Sequence, residues 1–211
     1  MLRVEYTRRR DNAVRRTPGA LVRLSSAAGE VHCLVAPFAA MPFSNRSSLR
    51  RVSLYTPGGQ VASAAGGGIC DWARRVWGEE DRGFTLVELT APAVQAILAA
   101  RATSLAVATA AEGMRAILVY DSGGALAEKS ATIAHVRDET LELRDSFGGD
   151  VLLVGEDGSL LGITSGDSNG TLYSSIKPSA LLDQMAHRRR RLLLHIRHGA
   201  ARTPLLPRFR D

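Results

Sequence analysis

Short apolar runs, bounded by Gly, Pro, Asp and Ser, recur along the chain at strand length, and this pattern predicts an all-β protein. Residues 20–37 read A-L-V-R-L-S-S-A-A-G-E-V-H-C-L-V-A-P, two β-type runs around a small, turn-prone stretch at 25–29, which predicts a hairpin. Strands are also predicted at 52–55 and 84–89, with Pro57-Gly58-Gly59 and Gly66-Gly67-Gly68 as punctuation. The second half is denser, with runs at 116–120, 131–136, 140–143, 151–154, 160–164 and 171–176, a spacing expected of a barrel or sandwich. Glu156-Asp157-Gly158 marks a tight hairpin, because Gly supplies the positive φ such a turn needs. Between the halves, residues 91–111 are alanine-rich, and Pro92 suits a first helical turn, predicting a connecting helix over 93–100. Pro178 opens a second helix, in which Leu181, Leu182, Met185, Leu192, Leu193 and Ile196 form an apolar stripe that Gly199 closes.

The resulting layout has six parts. A basic arm (1–19) precedes a first barrel (20–90), a connector (91–112), a second barrel (113–177), a helix (178–199) and a basic tail (200–211). A hydrophobic share of 45% over 211 residues excludes disorder along the whole chain. No apolar run reaches the roughly 18 residues of a membrane span, and the first residues lack the apolar core of a secretion signal, so a soluble cytosolic chain without a membrane partner is expected. Cys33 and Cys70 are too few for a disulfide scaffold and form no C-x-x-C pair.

Charge is distributed unevenly. Residues 1–16 hold six Arg against two acids and residues 187–211 eight Arg against one, a combined +11 that leaves −5 for the body between them. Arg8, Arg9, Arg10, Arg15 and Arg16 at one end, and Arg188, Arg189, Arg190 and Arg191 at the other, are therefore candidate contacts for an acidic protein face or for phosphates. Trp72 and Trp77, flanked by Arg74 and Arg75, offer base-stacking rings, although core packing of a Trp is the simpler expectation. No P-loop follows Gly66-Gly67-Gly68, and no H-E-x-x-H pattern exists, so neither a cofactor nor a metal is expected.

Three phrases in order resemble the trypsin-like (chymotrypsin-fold) serine peptidases, whose two six-stranded barrels precede a C-terminal helix. G29-E-V-H-C-L-V-A-P37 is similar to the strand that leads into the catalytic His. G83-F-T-L-V-E-L89 is similar to the strand that the triad Asp begins, and R144-D-S-F-G-G-D-V-L152, followed by E156-D-G-S-L-L-G-I163, to G-D-S-G-G-P-V-L with its hairpin and next strand. The resemblance implies a double antiparallel β-barrel and a site of Ser, His, Asp and oxyanion-binding N–H groups.

Those chemical groups are missing at the matching positions. The His position falls at Ser44 or Asn45, and Asn45 takes up no proton at neutral pH; the Asp position is Gly83, with Asp81 two residues early. Matching Gly148-Gly149 puts Phe147 at the nucleophile, whereas matching Asp145-Ser146 keeps Ser146 but inserts Phe147 into the oxyanion turn. Ser168, in G166-D-S-N-G170, is the closest textual match, but too few strands follow it, and it reads as a loop residue. His32 reads as a strand histidine lying before the expected place. The expectation is a degenerate peptidase domain serving as a binding or assembly module. Similarity to RNA-virus capsid-associated domains adds a capsid shell, a same-chain oligomer or RNA as partner, in the cytoplasm or the virion. The alternatives are an active serine endopeptidase using His32, Asp81 and Ser146 or Ser168, and a sequence-independent RNA-binding protein.

Overall fold

The structure, a computed structural model, describes residues 1–9, 11–26, 29–37, 49–65, 73–79, 84–138, 140–145, 147–164, 172–175 and 181. The first unit contains β1 (Leu2–Arg8), β2 (Val14–Ser26), β3 (Gly29–Pro37), β4 (Leu49–Thr56), β5 (Gly59–Ala65), β6 (Ala73–Glu79) and β7 (Phe84–Leu89). Helix α1 (Ala91–Ala99) follows, and the second unit is β8 (Arg115–Ser122), β9 (Ala125–Val136), β10 (Thr140–Leu143), β11 (Val151–Gly155), β12 (Leu160–Thr164) and β13 (Leu172–Ser175). All pairings between these strands are antiparallel, and they form a seven-stranded sheet, β5-β4-β1-β2-β3-β7-β6, and a closed barrel, β10-β13-β12-β11-β8-β9.

Both units are wired alike. The first strand lies between the second and the fourth in each: β1 between β2 and β4, and β8 between β9 and β11. The third strand pairs with the last, β3 with β7 and β10 with β13. They differ at one place: β12 pairs with both β11 and β13, whereas in the first unit β5 takes β4 and β6 takes β7. Where the second unit closes on one strand, the first therefore has two.

Burial explains why these residues make these strands. Along β1, Leu2, Val4 and Tyr6 are buried and alternate with half-exposed Arg3, Glu5 and Thr7, the period of a strand with one face in a core. That inner face joins Leu21, Leu34, Val52, Leu54, Val87 and Leu89, and α1 caps the cluster with Ala93, Val94 and Ile97. A second cluster fills the barrel with Leu118, Ile133, Leu141, Val151, Leu153 and Leu161. A third lies between the units and gathers Val22, Cys33, Val35, Leu86, Val119, Leu152, Leu160 and Ile163.

The connector is stitched into this middle layer. Leu105 N–H donates to Leu21 O at 2.8 Å and Arg23 N–H to Leu105 O at 3.1 Å, while Leu160 N–H donates to Ala106 O at 2.8 Å and Ala108 N–H to Leu160 O at 3.1 Å. One extended segment is thus hydrogen-bonded to β2 on one side and β12 on the other. At the β11–β12 hairpin, Gly158 has φ +80°, and Asp157 Oδ1 accepts from Ser159 Oγ–H at 2.7 Å and Ser159 N–H at 2.9 Å. Those two bonds hold the Asp157 carboxyl below the usual carboxylate range.

Several expectations shift. Residues 1–19 are not an arm: Leu2–Arg8 is an interior strand, and Val14–Ser26 already runs beside it. The alternating apolar residues carry that segment into the core despite its arginines. Strands β5 and β6, not anticipated from their Gly- and Ala-rich or Arg-flanked sequences, complete the sheet. The connecting helix starts two residues early, with Pro92 in its first turn. Of the expected C-terminal helix only Leu181 lies within the described residues, where it is helical and buried against the middle cluster. Among the described residues no helix is long and apolar enough to cross a membrane.

If β1 is structural, Leu2→Ala lowers the unfolding free energy by about 2–5 kcal/mol, as for a large-to-small change in a core. Urea unfolding reads this, and a loss near zero would return residues 1–9 to the status of an arm.

Candidate functional site

The three phrases border three connections between strands. The connection between β3 and β4 leaves at Pro37, and that between β6 and β7 enters at Phe84; Pro37 and Phe84 are directly paired. The connection between β10 and β11 enters at Val151, and Leu152 beside it shares the middle apolar cluster with Phe84 and Val35. The β3–β4 and β6–β7 connections therefore meet at paired strand ends, and the β10–β11 connection leads into the strand that supplies Leu152 to the seam.

Several predicted positions lie outside the described residues: Asn45, Asp81, Gly83, Ser146 and Ser168, as do Trp72, Arg10, Arg188, Arg189, Arg190 and Arg191. Arg8 and Trp77 lie within β1 and β6. Arg9 and Arg15 are exposed, and Arg16 Nε lies 3.0 Å from Glu5 Oε2.

His32 stands near the start of β3, five residues before Pro37, which is about 16 Å along an extended strand. It pairs with Arg23, and its Nε2 is 3.7 Å from Glu30 Oε1, while Arg23 Nε is 3.8 Å from Glu30 Oε2. With Glu88, Leu89, Val94 and Gln95 it lines an open cavity of about 300 Å³ beside the first turns of α1. This is the far end of the β3–β7 pair from the Pro37–Phe84 end, so the register separates His32 from the strand ends that carry the first two connections.

Phe147 is described, and its half-buried ring lies against a tyrosine and a lysine. Its ring centroid lies 4.7 Å from that of Tyr120 on β8, at an interplanar angle of 48°, and Lys129 Nζ on β9 stands 5.7 Å from the ring centroid. The ring packs on the core of the second barrel, an arrangement in which offset aromatic contact and cation–π attraction add to burial. Gly149, two residues on, has φ +106°, a conformation that L side chains rarely adopt. The phrase between β10 and β11 is thus anchored at Phe147 and turned at Gly149. The sequence pointed to Phe147 but not to Tyr120 and Lys129, which come from strands of unrelated sequence.

Cys33 is the nucleophilic side chain nearest His32 in sequence. It is fully buried and faces the seam, opposite Glu88 on β7. Burial first, and the Glu88 charge second, push its thiol up to about 12. It is a protonated core thiol at neutral pH. No group of three or more His, Cys, Asp or Glu capable of holding a metal ion occurs among the described residues.

No protein-family model matches this chain, and no curated protein does either. Among solved structures, the chain is similar to GrC, a granzyme, with a TM-score of 0.54 and 11% identity over 89% of this chain and 93% of that one. It is similar to a catalytically inactive tobacco etch virus protease complexed with substrate, with a TM-score of 0.51 and 11% identity over 87% and 83% of the two chains. Tobacco vein mottling virus protease gives a TM-score of 0.50 and 14% identity over 83% and 76%. At such identities the likeness concerns fold alone: the chain has the chymotrypsin-like double β-barrel.

The Cys33 environment sets its reactivity. In the folded chain its alkylation rate stays far below that of an ordinary thiol between about pH 7 and 9, because burial excludes the reagent and leaves little thiolate, and denaturant exposes it. Peptide-resolved iodoacetamide labelling reads this. Labelling of Cys33 in the native chain as fast as in the denatured chain would contradict the buried assignment.

Proposed function

We propose that this chain is a catalytically inactive chymotrypsin-fold domain that serves as a binding or assembly module. The observation that carries the reading is Phe147. In the register set by Gly148 and Gly149 it occupies the nucleophile position, and its ring is committed to Tyr120 and the barrel core rather than to chemistry. Asn45 and Gly83, at the other two triad positions, support the same reading, since neither side chain exchanges a proton at neutral pH. His32 adds no base, because its strand position is distant from the Pro37–Phe84 end.

On this reading the partner meets the arginine-rich termini. The +11 of the two ends against a body of −5 favours an acidic protein face, and the concrete setting is a capsid shell, a same-chain oligomer or packaged RNA. A guanidinium is not buried without a partner, so the run Arg188-Arg189-Arg190-Arg191 is suited to acidic groups or phosphate.

Two experiments test the two halves. A fluorophosphonate probe on the folded chain labels no serine; stoichiometric labelling of Ser146 or Ser168, lost in His32→Ala, would make the chain a working serine endopeptidase instead. Replacing Arg188, Arg189, Arg190 and Arg191 together by Ala weakens partner capture at least roughly tenfold at physiological salt without shifting the melting temperature. Equal capture by that variant would end the terminal-docking half.

A further inference from the structure

The outer face of the first sheet holds a second basic surface, built on the folded strands and separate from the C-terminal arginines. Because Leu2, Val4 and Tyr6 of β1 and Val52 and Leu54 of β4 point into the core, Arg3, Glu5 and Thr7, and Arg51, Ser53 and Tyr55, lie on the opposite face. The register sets them in rows: Tyr55 beside Arg3, Ser53 beside Glu5 and then Arg16 of β2, and Arg51 beside Thr7. Three arginines therefore share this face with one carboxylate.

Neutral groups hold two of these guanidinium groups. The Arg3 guanidinium lies 4.6 Å from the centroid of the Tyr55 ring, and Tyr55 Oη–H in turn donates to Gln60 Oε1 at 3.2 Å. Arg3 Nε is buried, and among the described residues it has no hydrogen-bond acceptor. Arg51 Nε–H donates to Ser63 Oγ at 3.0 Å, and Ser63 Oγ meets Ser53 Oγ at 3.1 Å. Among the described residues neither Arg3 nor Arg51 has a carboxylate within ion-pair distance. Arg16 spends its Nε on Glu5 at 3.0 Å and keeps its terminal nitrogens; it runs alongside Gly124 in the β8–β9 turn.

A guanidinium that is oriented by a ring or a hydroxyl, and not neutralised, presents its planar fork to an anion with little ordering left to do. The three form a triangle over three neighbouring strands, with Arg16 about 8 Å from Arg3 across the β1–β2 pair and Arg51 about 14 Å from Arg3 along β4. One small anion does not reach all three, but an extended polyanion crossing the strands does. The Arg3–Tyr55 stack adds a flat π surface of the kind on which bases pack, which Asp and Glu side chains have no ring to use.

We infer that the outer face of β2, β1, β4 and β5 binds single-stranded nucleic acid, with Arg3, Arg16 and Arg51 on phosphates and the Arg3–Tyr55 pair beneath a base. This goes beyond loss of catalysis and stands or falls apart from it.

The test is fluorescence anisotropy with a labelled oligouridylate, titrated between about 50 and 200 mM salt. The full chain binds, and Arg3→Gln with Arg51→Gln weakens binding roughly tenfold and flattens the salt slope by about 1.4, the share of two phosphate contacts on a single strand. The same loss appears when the pair is placed on the variant lacking Arg188, Arg189, Arg190 and Arg191, which separates the sheet from the tail. If the double variant melts early, Arg51→Gln alone gives the reading, since Arg51 is exposed and flattens the slope by about 0.7. No binding by the unaltered chain, an unchanged affinity and slope in the variants, or equal binding of polyglutamate with equal loss would each overturn the inference.

Discussion

The apolar seam between the two units is the constraint from which the rest follows. A sheet that fills its own barrel needs only one apolar face, but the strands at this seam need two. Adjacent residues accordingly go to different cores: Leu21 into the first unit and Val22 into the seam, Leu34 and Val35 likewise, Leu153 into the second barrel and Leu152 into the seam. At roughly 2 kcal/mol or more for each fully buried aliphatic side chain, the seam outweighs any single polar contact in the molecule. It also fixes the connector, since Leu105 is buried in it while its backbone bonds β2. The protonated state of Cys33 has the same origin, as its thiol lies in that layer.

Two-faced strands are easy to see in a sequence, and one-faced strands with long charged partners are easy to lose. The runs at 84–89, 151–154 and 160–164 are continuous because both faces are buried, and they stand out without alignment or periodicity analysis. L-R-V-E-Y-T-R at the start of β1 has perfect alternation, but six arginines in the first sixteen residues invite a reading by charge. The long arginine stems cover the outer face of the sheet as they leave the core face to Leu2, Val4 and Tyr6. β5, with Gly59, Ala62, Ala64 and Ala65, carries too little side chain to announce itself and is fixed by pairing with β4.

The strands that border the candidate site were legible in the sequence, and the chemistry between them was not. Phrase order located the connections after β3, before β7 and before β11, because each phrase borders a seam strand whose apolar run is hard to mistake. Which residue stands at the nucleophile position was left between Ser146 and Phe147, and no local pattern decides it. The partners of Phe147 are Tyr120 and Lys129 on β8 and β9, twenty or so residues away in sequence, and only the closed barrel brings them together. A ring anchored there holds the turn at Gly149 in place by packing, whether or not that turn is used for chemistry.

This separation explains how such a fold persists under the proposed reading. Stability resides in the seam and the two inner clusters, and Phe147 adds to one of them as an apolar ring packed against it. Loss of a proton-transfer group from a loop leaves those clusters untouched, and replacing a nucleophile by an aromatic side chain adds contacts to one of them. The binding surface inferred on the first sheet is independent for a related reason. The seam occupies one flank of β2 and β3, so β1 and β4 are left with an outer face free to carry charge, and Arg16 stands where that face meets the turn of the second barrel at Gly124. A domain divided this way can keep its core, empty its cleft of catalytic groups and acquire a new surface, since each change draws on residues that the others do not use.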